Sequence, residues 1–295
     1  MSLTAKISFS AGLVLGIAIV LSIALFRGTD SSYVAQVADE EPTEETISRQ
    51  TASSPIVEEV KVSAAGAYSL SGEELYSFRS DKRWPIASLT KLMTALTADR
   101  LYLSGKPYEL ILITEEMVAT EGNSGGLKAG QTIRADDLIK AMMLVSSNDA
   151  AAALAMHYGE EAFVREMNTI AVELGMTDTS FVDPTGLSVQ NLSTIEDLRR
   201  LAKFIWDNEP YIFEITQSKT GVIGDAVGGS RWVLTSINEL SGRVDFLGGK
   251  TGSTPEAEGN LVSIFELFGR DEAVIIIVLG TEDRFLETEN ILKSL

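Results

Sequence analysis

A chain of 295 residues with 42 acidic and 24 basic side chains can bury a substantial core, and its net charge of -18 excludes nucleic acid or an anionic membrane surface as partner. The absence of cysteine removes disulfides, thiolate metal sites, a cysteine nucleophile and cysteine lipidation, and a single histidine removes a multi-histidine metal site. His157 ends an alanine-rich helical run and reads as structural, so a serine enzyme built on this chain takes lysine as its base.

Residues 7–26 carry no charge and follow Lys6, a length and flank that suit a bilayer-spanning helix with its N-terminus in the cytoplasm. Arg27 on the far flank opposes that orientation, and Ser22-Ile23-Ala24 also spells a small-x-small cleavage site. The segment 1–28 is therefore a transmembrane anchor or a signal peptide cleaved after Ala24. The uncleaved anchor is preferred because the apolar run continues through Phe26, and either reading exports the remainder. Residues 29–56 are polar and acidic, too poor in large apolar side chains to order themselves, and form a disordered linker.

A folded domain is expected over 57–295. Residues 60–68 and 74–78 read as strands joined by a turn at Ser71-Gly72. After Pro85, Leu89, Leu92, Met93 and Leu96 follow the i, i+3, i+4, i+7 spacing of a helix burying one stripe. Ser88 falls in its first turn, and Lys91, three residues on, shares its face. A serine hydroxyl becomes a nucleophile when a base takes its proton, and a desolvated lysine can be that base. Alone, Ser-x-x-Lys is short enough to describe a helix cap followed by an ordinary surface charge.

Residues 110–113 form a short apolar segment, 122–130 a glycine-rich irregular stretch and 135–144 an amphipathic helix. A polar break, Val145-Ser146-Ser147-Asn148-Asp149, precedes the alanine-rich helix. Residues 161–174 and 194–206 are predicted helices, the second capped by Thr194, with a loop at 181–187 between them. Residues 244–247, 260–268 and 273–279 are strand-like, the last two joined by a turn at Gly269-Arg270-Asp271, and a final helix covers 286–295.

Three motifs stand in order: Ser88-x-x-Lys91, Ser146-x-Asn148 and Lys250-Thr251-Gly252. Together they resemble the set found in penicillin-binding proteins and class A β-lactamases. The wider text at 85–94, 144–151, 181–187 and 249–252 resembles the D-alanyl-D-alanine carboxypeptidases among the low-molecular-weight penicillin-binding proteins. The resemblance implies an α+β fold of the β-lactamase/transpeptidase type, an antiparallel sheet flanked by helices plus an all-helical subdomain. It calls for no cofactor. Lys219-Thr220-Gly221 and Ser236-Ile237-Asn238 repeat two of the motifs, but only Lys250 has strand-like sequence before it and two strands after it, and Lys219 is read as loop.

By this resemblance Ser88 attacks the carbonyl between the terminal D-alanines of a peptidoglycan pentapeptide stem, and Lys91 accepts its proton. Ser146 relays the proton to the departing amine, and Asn148 orients the substrate through its amide. Lys250 keeps the site electropositive, lowers the pKa of Lys91 and attracts the substrate carboxylate, to which Thr251 donates. Gly252 completes the strand motif, and the N–H groups of Ser88 and Ser253 form the oxyanion hole.

Arg284 matches a family arginine near the carboxylate, or else pairs with Glu282 or Asp283. Asp183 stands where the family often has asparagine and Ser147 where glycine is common; both concern loop packing only. The Glu-x-x-Leu-Asn string of class A β-lactamases is missing from 173–187, so β-lactams are expected to acylate Ser88 and leave slowly. Alternatives on the same fold are a penicillin-binding sensor without efficient turnover, an endopeptidase and a β-lactamase. Family members often add a C-terminal β-rich domain and a membrane-binding helix; the N-terminal apolar segment is expected to replace that anchor.

Overall fold

The computed structural model describes residues 61–104, 109–267 and 272–295. The expected anchor or signal peptide, the acidic linker, the start of the domain near Val57 and the turn at 269–271 lie outside the described residues. In chain order the elements are β1 (Ala64–Ser69), β2 (Glu74–Phe78), β3 (Trp84–Pro85), a 3-10 turn (Ala87–Leu89) and α1 (Thr90–Ala98), which widens into a π-turn at Asp99–Leu103. Next come β4 (Leu110–Leu112), α2 (Glu115–Val118), β5 (Thr132–Arg134), α3 (Ala135–Leu144), α4 (Asn148–Tyr158) and α5 (Glu160–Glu173). Then follow β6 (Leu192–Ser193), α6 (Ile195–Asn208), α7 (Tyr211–Gln217), β7 (Thr220–Gly224), β8 (Arg231–Thr235), β9 (Phe246–Thr254), β10 (Glu258–Glu266), β11 (Ala273–Thr281) and α8 (Arg284–Ser294).

β11 reads Ala-Val-Ile-Ile-Ile-Val-Leu-Gly-Thr and is buried along its whole length. An uncharged, β-branched run of this kind suits a strand covered on both faces. It occupies the middle of an antiparallel sheet ordered β2-β1-β11-β10-β9. Its alternate side chains serve two cores. Ile275, Ile277 and Leu279 join the large core under the helices, while Val274, Ile276 and Val278 pack with Phe246, Phe265 and Ile291 on the α8 side. β9 forms one edge of the sheet, followed in sequence by its neighbour β10 and then by β11, the next strand in.

The apolar stripe expected of α1 understates its environment. All nine of its residues are buried, because the helix is packed by α3, α4, α5 and α6 together. That central position buries Lys91, which a one-sided helix would have left in water. The helical region also carries three short ladders, β3 with β6, β4 with β5 and β7 with β8.

Two sequence expectations change here. Ser147 caps α4 by accepting from Ala150 N, so Asn148 and Asp149 belong to the first helical turn rather than to a break. Thr220 and Gly221 lie on β7 rather than in a loop: Ile223 and Leu234 bury the β7–β8 hairpin against the core, and Gly221 abuts Leu144. Lys219 precedes that strand, with its side chain against Gly242. α7 and both strands of the hairpin were not anticipated from the sequence.

Candidate active site

Ser88 sits in the 3-10 turn ahead of α1, partly exposed, with its Oγ accepting from Lys91 Nζ at 2.9 Å. The turn is strained: Ala87 has φ 46°, a left-handed conformation that costs a non-glycine residue roughly 1–2 kcal/mol. Neighbours on two sides hold it there. A Cβ on Gly186, itself at φ 85°, would fall 2.0 Å from the Ala87 carbonyl oxygen, so no larger residue lets the 181–187 loop press against the turn. On β9, a Cβ on Gly252 would fall 2.8 Å from the Ile86 oxygen and 3.1 Å from Ser88 N. Gly252 thus brings the sheet edge directly alongside the serine, and Ser253, next on the strand, is exposed.

Ser146, the second serine, also has a left-handed backbone, φ 57°. Its Oγ accepts from Lys250 Nζ at 2.9 Å, and Lys250 Nζ also donates to the Thr251 carbonyl at 2.7 Å. Two of the four non-glycine positive-φ residues among the described residues therefore flank or form the two serines. Backbone strain of this kind concentrates at functional sites.

Asn148 is buried, donating from Nδ2 to the Glu121 carbonyl at 2.7 Å and from its backbone N–H to Asn123 O at 2.7 Å. One of its amide donors is thus committed to the glycine-rich loop rather than to a ligand. Thr251 is buried in register with Leu261. Arg284 reaches the Gly252 carbonyl with its guanidinium at 3.3 Å and makes no ion pair with Glu282 or Asp283 among the described residues. Asp283 instead caps α8. His157 pairs with Glu109 at 2.9 Å and packs on Tyr102, in contact with none of these groups.

Burial dominates the electrostatics of both lysines. Lys91 is wholly buried, and that desolvation lowers its pKa to about 7. Lys250 repels it as well, since the repulsion between the two lysines is mutual, but burial is the larger cause. The carboxylates of Asp183 and Asp149 work in the opposite direction by favouring the ammonium. Lys250, 1% exposed, is itself held well below the ordinary lysine value by burial, then by repulsion from Lys91 and Arg284. A half-titrated amine against a partly exposed hydroxyl is the arrangement a serine nucleophile needs near neutral pH.

Sequence reasoning did not assign roles to several groups that hold this geometry. Thr185 offers its backbone carbonyl to Lys91 Nζ, and Thr94 donates to Pro184 O at 2.6 Å, so one face of α1 is stitched to the 181–187 loop. Asn191 donates to Thr90 Oγ1 and Asp183 O, accepts from Val182 N, and offers its own carbonyl to Ile86 N. Asn260 ties β10 to the nucleophile turn through Pro85 O, and to β11 through Gly280 N. None has a spacing signal, because each acts on residues far away in sequence.

The sequence pattern of the D-alanyl-D-alanine carboxypeptidase family, Peptidase_S11, matches residues 53–283. A D-alanyl-D-alanine endopeptidase of Escherichia coli is 43% identical over 131 residues, covering 43% of this chain and 41% of that protein. The carboxypeptidase DacC of Escherichia coli is 32% identical over 241 residues, 75% of this chain and 58% of DacC. The crystal structure of a D-alanyl-D-alanine carboxypeptidase from Mycobacterium tuberculosis superposes with a TM-score of 0.73 at 26% identity, covering 82% of this chain and 93% of that one. The matched stretches span about half the length of the first curated relatives, from 41% to 54%. With a family pattern that takes in Ser88, Ser146 and Lys250 together and a shared α+β architecture, this chain belongs to the D-alanyl-D-alanine carboxypeptidase family.

Proposed function

We propose that this protein is a serine-type D-alanyl-D-alanine carboxypeptidase that removes the terminal D-alanine from peptidoglycan pentapeptide stems. The observation that carries the reading is the 2.9 Å contact between Ser88 Oγ and a fully buried Lys91 whose pKa lies at about 7. Ser88 Oγ attacks the penultimate carbonyl carbon while its proton passes to Lys91 Nζ. The C–N bond then breaks, and the departing amine takes a proton through Ser146, which Lys250 holds. Water attacks the resulting ester, Lys91 accepts its proton and passes it to Ser88 Oγ as the C–O bond breaks, which restores both groups.

The substrate carboxylate is placed against Lys250, Thr251 and Arg284, where its charge favours the ammonium of Lys250. Asn148 fixes the peptide through the amide atoms left free by Glu121. The oxyanion is assigned to the N–H groups of Ser88 and Ser253, supported by the approach of Gly252 to Ser88 N. We place the catalytic domain at 57–295, preceded by the linker at 29–56 and an anchor or cleaved leader at 1–28. The protein then works outside the cytoplasm, tethered to the membrane or secreted. β-Lactams acylate Ser88 and deacylate slowly. Among the described residues no helix is long and apolar enough to cross a membrane.

Release of free D-alanine from diacetyl-lysyl-D-alanyl-D-alanine, with Ser88→Ala as control, tests the reading. Turnover in the wild type, with no turnover and no fluorescent-penicillin labelling in the variant, is expected. Penicillin labelling without D-alanine release would favour a sensor instead. Endopeptidase action is a second reading, favoured by the naming of two relatives, 42% and 43% identical over shorter stretches, as endopeptidases. Faster cleavage of cross-linked dimers than of pentapeptide would establish it.

A further inference from the structure

Burial alone would make Lys91 a poor proton acceptor, and what opposes burial comes from a loop 94 residues further along the chain. The centre of that loop is the Asp183 carboxylate. Its Oδ1 accepts from Thr185 N at 2.7 Å, Thr185 Oγ1 at 2.6 Å and Gly186 N at 2.7 Å, and its Oδ2 accepts from Ser188 N at 2.9 Å. Four donors on one carboxylate fold residues 183–188 into a turn. The turn aims the Thr185 carbonyl at Lys91 Nζ, offers the Pro184 carbonyl to Thr94, and seats Gly186 on the Ala87 carbonyl. One side chain therefore shapes a surface that touches both the amine and the turn carrying the nucleophile.

We propose that Asp183 is a positioning residue for acylation, setting where the Lys91 amine sits and how firmly it holds a proton, without touching substrate. The proposal rests on the serine-peptidase reading above and goes beyond it in giving the loop carboxylate an electrostatic task.

The charges that face Lys91 are few and come from three elements. Asp183 approaches from the loop, Asp149 from the first turn of α4 and Lys250 from β9, with Arg284 beyond Lys250. Asp183 is the foremost charge favouring the Lys91 ammonium, ahead of Asp149. Asp149 also has a separate structural duty, accepting from Ser147 Oγ, Ser124 Oγ and Gly125 N to fasten the glycine-rich loop onto α4. Only Asp183 combines charge with a covalent path to the carbonyl that Lys91 contacts. An amide in its place keeps one acceptor oxygen but turns an N–H group toward the Ser188 N–H and removes the charge.

The test compares the wild type with Asp183→Asn, Asp183→Ser and Asp183→Glu. Serine supplies a hydroxyl that closes the same kind of turn without charge, so a neutral replacement remains available if the amide does not fold. Lysine side chains carrying 13C at Cε are titrated by NMR, with Lys91→Met identifying the Lys91 resonance. The Lys91 midpoint should fall by at least about half a pH unit in the neutral variants and stay near the wild-type value in Asp183→Glu.

The acid limb of the pH–rate profile for acylation by a chromogenic β-lactam should move to lower pH in the same variants while the plateau rate drops. A lowered plateau with an unmoved limb and an unmoved midpoint would mean that Asp183 only packs the loop, and would overturn the proposal. Absence of acylation in the wild type would sink the peptidase reading instead, leaving the NMR titration to decide whether Asp183 governs Lys91.

Discussion

Two serine–lysine pairs meet at this site with the same 2.9 Å separation, yet they are built differently. Ser88 and Lys91 are three residues apart across one turn of backbone; Ser146 and Lys250 are 104 residues apart and meet because the segment between α3 and α4 faces the edge strand β9. Their surroundings differ in charge. Lys91 faces Lys250 but also two carboxylates and the Thr185 carbonyl, while Lys250 faces Lys91, Arg284 and the Thr251 carbonyl. Equal distances therefore support unequal chemistry. The local pair is tuned to exchange a proton near neutrality, and in the long-range pair an arriving anion favours the Lys250 ammonium.

Lys91→Met should break the first pair most severely. Peptide turnover should fall by several orders of magnitude, as loss of a serine's base generally does. The same change should raise thermal stability. Lowering a lysine from 10.5 to about 7 stores on the order of 5 kcal/mol at pH values below 7. The sign follows from the protons bound: the unfolded lysine keeps its proton up to its ordinary value, whereas the folded one loses it from about 7 upward. Stability thus rises with pH across that window in the wild type, and methionine removes the penalty below it. Calorimetry at pH 6 and pH 9 should show the larger gain in Tm at pH 6; a Tm below wild type at both would contradict the burial argument.

Lys250→Ala should leave Ser88 and Lys91 in contact but remove the group that meets the substrate carboxylate. A loss of about 10²–10³ in kcat/KM is expected, on the scale of breaking a buried charge contact. The deficit should shrink for a substrate whose terminal carboxylate is amidated. An equal deficit for both substrates would mean that Lys250 serves the proton relay alone.

Lys219→Ala should change kcat/KM by less than about twofold, the scale of a surface substitution. Its side chain lies against Gly242, outside every contact described for the two pairs. A loss comparable to that of Lys250→Ala would assign the strand motif to the wrong lysine.

Much of the site was legible because its chemistry is local. Ser88 and Lys91 share a face through helical periodicity, and Lys250-Thr251-Gly252 is marked by the strand-forming text around it. The strand itself was legible for a related reason, since β11 has no charge to place in solvent, while its position between β1 and β10 came from the tertiary structure. The β7–β8 hairpin was missed because glycines at Gly221 and Gly224 read as breakers, whereas Gly221 permits a close approach to Leu144. Asn191 and Asn260 were passed over, and Asp183 was read as loop packing only, for another reason. A buried polar residue announces its partners only when the chain has brought them together.

By itself the sequence named the candidate reacting groups: with no cysteine and one histidine read as structural, a lysine one turn from a serine is the base it offers a serine enzyme. The tertiary structure decided how strong that base is, since Lys91 is desolvated by four surrounding helices and countered by carboxylates from a distant loop and from α4. Covalent order fixes which atoms are available within one turn, but a proton's affinity depends on every charge and every water within reach, and those are set only when separated segments pack.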